Sequence, residues 1–322
     1  MISNKLKQRF CKDYNIPIDV YDEDIFRERL ELFGADKKYQ IFKNMIKNLY
    51  NNDESLFLED YNNIKDKAIE YIKNTKTFEL LNKEDMSKFN TSLNIPQKDV
   101  YKEDNIGKRF ISIDMTKANY TSLALYGFEK ELNEFNLINK NNYKDFMKRF
   151  TNNPYFINSK YLRQIIFGNC KPKRQIKYEK WRMEQLVKQL QIPIESIYSF
   201  NNDEIILDAN KVTDFQLESY KNFIRDVIFK IEEFTLEKIK GSDTYIKRHP
   251  DDTYELKCMS KSDAVFVYRF LKGEELTDND YVFRSPDKRL ARYLEAPELF
   301  LITEKENLLE TNMDNEKDVE LD

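Results

Sequence analysis

Two short apolar stretches near the middle of the chain lie so close together that they are expected to pair with each other. IESIYSF (194–200) and EIILDA (204–209) have the composition of β-strands, and Asn201 and Asn202 between them favour a tight turn. The chain therefore predicts an antiparallel hairpin that carries the carboxylates of Asp203 and Glu204 at its turn. Charge without a partner is costly beside a buried strand, so this placement points to a bound cation.

The segments around this hairpin predict a mixture of strand and helices. KRFISID (108–114) predicts a buried strand that ends at Asp114, and MTKANYTSLALYGF (115–128) predicts a helix directly after it. DFQLESYKNFIRDVIFKIEEF (214–234) has the three-four apolar spacing of one amphipathic helix. Further helices are predicted in NYKDFMKRF (142–150), NSKYLRQIIFG (158–168) and YEKWRMEQLVKQL (178–190).

The whole chain predicts an α+β protein with four parts. Residues 1–104 repeat apolar side chains at helical spacing and predict a helical region, and residues 105–238 form the mixed core. Residues 239–302 predict a small α+β unit with a hairpin, a helix and a further strand. Residues 303–322 are acidic and poor in large apolar side chains, so this tail is predicted to be disordered.

Charge is distributed unevenly along the chain. The net charge of −4 conceals a tail that carries −6, and between Lys160 and Arg182 there are eight Lys or Arg residues against Glu179 alone. Such a segment predicts a polyanion partner, although a solvated helix face is the alternative. Trp181 can stack on a base or anchor its helix to the core. The predicted nucleic-acid-binding residues are Lys171, Lys173, Arg174, Lys177 and Trp181.

Several classes of function are disfavoured by composition. Six scattered glycines include no phosphate-binding loop, and the three cysteines lack the spacing of a zinc site or a disulfide framework. No apolar stretch approaches the length of a membrane helix, which predicts a protein without a membrane partner. The odd number of cysteines favours a reducing compartment, and a cytoplasmic location is expected.

The order strand, carboxylate and helix, followed by a carboxylate pair at a hairpin turn, is typical of a two-metal nucleotidyl-transfer site. Two divalent cations neutralise the charge that develops on the entering and leaving oxygens when a phosphate is attacked in line. Mg²⁺ and Mn²⁺ prefer carboxylate oxygens, which suits a chain with a single histidine. The residue pattern therefore predicts two Mg²⁺ or Mn²⁺ ions near Asp114 and Asp203.

Three segments resemble motifs of palm-domain nucleic-acid polymerases. ISIDMTKANYTSL (111–123) resembles motif A of reverse transcriptases, and SFNNDEIIL (199–207) resembles motif C, where family A DNA polymerases carry His-Asp-Glu. RQIIFGN (163–169) is similar to the Lys-x-x-x-Phe-Gly core of the family A fingers helix. The resemblance covers about a hundred residues with the motifs in the order A, B, C. It implies a palm-like antiparallel sheet and makes Asp114, Asp203 and Glu204 the catalytic metal ligands.

The same resemblance implies a site for a nucleoside triphosphate. Arg163 would meet the triphosphate, and Lys160, one helical turn earlier, would share that task. Phe167 would pack against the base. Asn119 stands five residues after Asp114, where related enzymes place a bulkier side chain against the sugar.

The predicted function is addition of nucleotides to a nucleic-acid 3′ end, and the departures from the family keep a second hypothesis open. Only forty residues separate Arg163 from Asp203, and the hairpin turn lacks the family A histidine. The alternative is a non-catalytic protein that binds nucleic acid or a replication partner on a palm-like or unrelated fold. The bias towards Asn and Lys suits a virus or another AT-rich genome, which would place the protein in a host cytoplasm.

Overall fold

The computed structural model describes residues 2–95, 97–137, 142–224, 228–284, 289–296 and 299. The α-helices are α1 Asn4–Tyr14, α2 Glu23–Leu32, α3 Asp36–Tyr50, α4 Glu54–Lys73, α5 Lys76–Lys83, α6 Ala118–Glu129, α7 Asn142–Met147, α8 Pro154–Asn158, α9 Lys160–Gly168, α10 Pro172–Gln189, α11 Asp214–Phe223 and α12 Ala264–Lys272. The strands are β1 Arg109–Met115, β2 Ile197–Phe200, β3 Glu204–Asp208, β4 Phe229–Lys238, β5 Tyr245–Arg248, β6 Tyr254–Lys257, β7 Val282–Arg284 and β8 Leu290–Arg292.

The strands confirm the α+β class and the antiparallel hairpin predicted in the middle of the chain. β1 to β6 form one sheet in the order β2-β3-β1-β4-β5-β6, and β7 pairs with β8 in a separate two-stranded sheet. In the predicted hairpin, β2 and β3 are antiparallel, with Phe200 opposite Ile205 and Ser199 opposite Ile206. The turn is closed by the Asn201 N–H, which donates to the Glu204 carbonyl at 2.8 Å. The helical N-terminal region is also confirmed by α1 to α5.

One sequence prediction is wrong. The stretch 214–234 was expected to be a single helix, but α11 ends at Phe223 and residues 229–238 form β4. In β4, Phe229 and Ile231 alternate with polar residues, and Phe234 and Leu236 resume the alternation. Short segments rich in such residues fit a helical or a strand period equally well, so pairing with neighbouring strands decides the outcome.

The chain divides into two compact units, each assembled from separate stretches. The first contains residues 1–16, 36–98 and 111–232, and the second contains residues 17–35, 99–110 and 233–322. In the first unit, β1, β2 and β3 contribute apolar side chains to one core, among them Ile111, Ile113, Ile205 and Leu207. Met183 and other residues of α10 complete this core. In the second unit, a smaller apolar cluster is built around Ile239, Ile246 and Val267.

The alternation of side chains along β1 determines which residues face that core. Ile111, Ile113 and Met115 belong to the apolar cluster, so Ser112 and Asp114 lie on the opposite face of the strand. No helix among the described residues has both the length and the apolar character that a bilayer crossing requires.

A close approach of two helices in the first unit depends on a glycine. A Cβ atom added to Gly127 of α6 would lie 2.6 Å from Oγ1 of Thr77 on α5, and Thr77 is fully buried. Thr77 Oγ1 in turn donates to Glu134 at 2.7 Å, which fixes its rotamer. Gly168, at the end of α9, has no atom within 4 Å of the corresponding position.

We therefore predict that Gly127→Ala lowers the free energy of unfolding by about 2 kcal/mol, because the buried Thr77 cannot move aside without loss of its hydrogen bond. Gly168→Ala serves as the control and is expected to be neutral or stabilising by up to about 1 kcal/mol, since alanine favours the helix. Urea unfolding of both variants measures the difference. Equal stability of the two variants would show that α5 and α6 are not in close contact.

Candidate active site

A pocket of about 430 Å³ in the first unit collects half of the twelve site residues predicted from the sequence. Its walls come from the end of β1, the start of α6, α9, the first half of α10 and the hairpin turn. Six of the predicted site residues line it: Asp114, Asn119, Lys160, Arg163, Phe167 and Asp203. The volume lies within the usual range for small-molecule sites.

Backbone pairing holds the two aspartates at the same place. The Met115 N–H donates to the Asp203 carbonyl at 2.8 Å, which joins the end of β1 to the hairpin turn. This hydrogen bond brings the backbone of Asp114 close to that of Asp203, although 88 residues lie between them in the sequence. Both side chains are half-buried and contribute to the pocket wall.

Glu204, the third predicted metal ligand, does not line this pocket. Its Oε1 accepts a hydrogen bond of 2.7 Å from Ser112 Oγ, and Ser112 lies on the same face of β1 as Asp114. Glu204 still acts on the site electrostatically. Burial raises the pKa of Asp203, and the Glu204 carboxylate raises it further, while a backbone N–H lowers it.

A third carboxylate of the pocket comes from α10, the helix that was predicted to bind nucleic acid. Glu179 of α10 is 5% exposed, lines the pocket and accepts a hydrogen bond of 3.0 Å from Ser122 Oγ of α6. Burial raises the pKa of Glu179 to about 7, with a further contribution from Asp203 that the Ser122 hydrogen bond opposes. Its position as the only acid in a run of eight cations was the sequence signal that could have identified it.

Cationic side chains line the same pocket. Lys160, Arg163 and Phe167 follow the three-four spacing of a helix and present one face of α9 to the pocket. Lys117, the residue before α6, also lines the pocket and was not predicted from the sequence. Phe167 is 1% exposed and packs edge-on against Tyr120, so it supports the wall as part of the core.

The predicted nucleic-acid-binding residues separate into two groups. Lys171 and Lys173 are exposed at the start of α10, and Lys177 is half-buried one turn later. Arg174 instead donates to the backbone carbonyls of Leu81 and Glu84 at the end of α5, which favours a structural role.

Trp181 lies further along α10 and is half-buried. Its ring centroid is 5.2 Å from that of Phe89 and 5.7 Å from that of Tyr178. These contacts favour anchoring of the helix to the core, the second of the two roles predicted for this tryptophan.

The metal ligands predicted from the sequence come together only as a pair. Among the described residues, no three carboxylates of this pocket have oxygen atoms that all lie within 4.8 Å of one another. Asp114 and Asp203 therefore constitute the candidate metal-binding pair, with Glu179 as a further acidic group of the same wall. The described residues that line the pocket include no histidine or cysteine, so their acidic donors are the hard oxygens that Mg²⁺ and Mn²⁺ prefer.

The raised pKa of Glu179 predicts a pH-dependent contribution to stability. A carboxyl whose pKa is higher in the folded state contributes stability below its ordinary pKa of about 4.5, and that contribution disappears as the pH rises through about 7. The groups that act on it are the Ser122 hydroxyl, which donates a hydrogen bond, and the Asp203 carboxylate. In the presence of EDTA, the free energy of unfolding of wild type should fall between pH 4.5 and 8 by up to about 3 kcal/mol more than that of Glu179→Gln. Urea unfolding across this range tests the difference, with the exposed Glu195→Gln as control, and parallel curves for all three proteins would contradict it.

Comparison of the chain with protein-family models, curated proteins and solved structures finds no match.

Proposed function

We propose that this protein is a metal-dependent nucleotidyltransferase of the palm-polymerase type, which adds nucleotides to the 3′ end of a nucleic acid. The observation that carries the proposal is the presence of several charges of both signs in one pocket. It is lined by three carboxylates, Asp114, Asp203 and Glu179, here called the acidic wall, and by three cations, Lys117, Lys160 and Arg163, here called the basic wall. A magnesium-bound nucleoside triphosphate has the complementary arrangement, because its cations need carboxylates and its phosphates need basic side chains.

The acidic wall is suited to hold the divalent ions. Asp114 and Asp203 would supply the carboxylate ligands. Burial raises the pKa of Asp203 and of Glu179, a neighbouring carboxylate adds to each shift, and a bound cation would favour the charged forms of both groups. When bound, Mg²⁺ or Mn²⁺ ions would neutralise the charge on the entering and leaving oxygens of a phosphoryl transfer. Glu204 would assist from outside the pocket through its effect on Asp203 and its hydrogen bond with Ser112.

The basic wall is suited to hold the phosphates. Arg163 and Lys160 lie on one face of α9, where their charges would bind the triphosphate and orient it towards the acidic wall. Phe167 and Ile176 add apolar surface to the pocket, against which the base would lie. Asn119, at the start of α6, brings an amide to the same pocket, where it would contact the sugar.

The nucleic acid would approach along the start of α10. Pro172 lines the pocket, and the exposed Lys171 and Lys173 flank it in sequence, so a backbone bound by these lysines would bring its end to the pocket. The proposal includes a cytoplasmic compartment, in a host cell if the source is viral. Within the part of the chain that the structure describes, Cys11, Cys170 and Cys258 form no disulfide, which suits reducing surroundings.

The proposal predicts that Asp114→Asn and Asp203→Asn each lower the rate of primer extension by about 1000-fold, because each removes a carboxylate that would hold a catalytic cation. The assay measures extension of a labelled primer with nucleoside triphosphates and Mn²⁺. Both variants should keep the wild-type circular dichroism spectrum, because Asn preserves the shape of the side chain. Asp214→Asn, on the exposed first turn of α11, is the matched control and should leave the rate unchanged.

The same variants separate catalysis from binding alone. In the alternative hypothesis the protein binds nucleic acid without chemistry, and the exposed Lys171 and Lys173 are the observation that favours it. Wild type would then show no extension, the Asp variants would keep full affinity, and Lys171→Ala with Lys173→Ala would weaken binding and reduce its salt dependence. Extension by wild type that survives both Asp changes would contradict the proposed active site.

A further inference from the structure

Two cations of the pocket share one aromatic ring. Lys117 Nζ lies 5.7 Å from the centroid of the Tyr143 ring, and Arg163 Cζ lies 5.5 Å from it. Tyr143 is 2% exposed, so the ring is a fixed part of the core that both side chains approach. Neither cation forms a salt bridge with the described residues, and the buried Arg163 Nε makes no hydrogen bond to them.

This arrangement is electrostatically unfavourable without an anion. Burial lowers the pKa of Lys117, and repulsion from Arg163 and Lys144 lowers it further. Burial also lowers the pKa of Arg163, with an opposing electrostatic contribution from the Tyr143 hydroxyl. Cations that lose hydration are normally paired, because the loss must be compensated by an opposite charge or by hydrogen bonds. Here the Tyr143 ring is the described group that both cations contact.

The backbone also directs Lys117 towards the pocket. Lys117 has φ 50° and ψ 53°, a left-handed conformation that is unfavourable for lysine. It precedes α6 without a capping hydrogen bond from its side chain, and the first helical residues, Ala118 and Asn119, line the pocket. A strained residue at an uncapped helix start fits a site in which the first backbone N–H groups of α6 and the Lys117 side chain bind the same anion.

We propose that Lys117 and Arg163 form a subsite for a linked chain of phosphates, and that filling this subsite relieves their repulsion and stabilises the fold. The identification of the ligand as the polyphosphate of a nucleotide rests on the proposed function. The subsite itself requires only the two cations, the α6 start and the pocket space. A chain of phosphates carries more negative charge than a single phosphate and offers a separate group to each cation, so it is expected to bind more tightly.

The test is calorimetric titration of the full chain with tripolyphosphate in EDTA, together with thermal unfolding. Wild type should bind, and its Tm should rise with ligand. Lys117→Asn, which keeps the left-handed backbone, should bind at least about tenfold more weakly and yet melt about 2 °C higher than wild type without ligand, because the repulsion is gone. Lys117→Arg should retain tripolyphosphate binding, whereas Arg163→Gln, like Lys117→Asn, should lose it.

Lys43→Gln is the matched control, because Lys43 lies 5.5 Å from the Tyr39 ring on α3, away from the pocket. It should leave tripolyphosphate binding unchanged. Absence of binding to wild type, binding that Lys117→Asn does not weaken, or orthophosphate that binds as tightly as tripolyphosphate would each overturn the inference. Tripolyphosphate binding as expected, in a protein that shows no primer extension, would instead reject the proposed function and leave the subsite in place.

Discussion

The candidate site depends on one backbone hydrogen bond, from the Met115 N–H to the Asp203 carbonyl. It joins the end of β1 to a hairpin turn that is distant in sequence, and the turn is itself closed by the bond from Asn201 to Glu204. Because a strand fixes the direction of every side chain along it, this pairing brings Asp114 and Asp203 to one pocket while Ile113 and Met115 face the core. The two half-buried carboxylates therefore lie where the end of β1 meets the hairpin turn, and burial disfavours their charged forms unless a cation binds there.

The helices around the sheet add the opposite charge. α9 brings Arg163 from one side, the start of α6 brings Lys117, and α10 brings Glu179 beside Asp203. Aromatic packing keeps these elements in place, since Phe167 contacts Tyr120 and Tyr143 within the core. The pocket therefore carries charge of both signs on a scaffold that is apolar behind it. The charges of such a site are poorly compensated within the protein alone. They are well suited to a ligand that carries cations and phosphates together.

The local part of this arrangement could be predicted from the sequence, and the long-range part could not. The hairpin at 197–208, the strand ending at Asp114 and the helices α6, α9 and α10 follow from apolar spacing and turn residues. The strand β4 could not be predicted because its apolar period changes within ten residues, and one of its two partners, β1, is distant in sequence. The structural contacts of Arg174 and the core position of Trp181 depend on α5 and on Phe89, which no local pattern reveals. Glu179 was overlooked for a related reason, since only the fold shows that it faces Asp203.

The most direct measurement of the central claim is the anomalous diffraction of a crystal soaked in Mn²⁺. The account predicts a strong peak in the pocket with oxygens of both Asp114 and Asp203 within about 2.2 Å of it. Loss of that peak in a crystal of Asp203→Asn would confirm that the hairpin turn supplies a ligand. Mn²⁺ bound only at surface carboxylates, with the pocket empty at saturating metal, would contradict the convergence of these two aspartates on a shared cation.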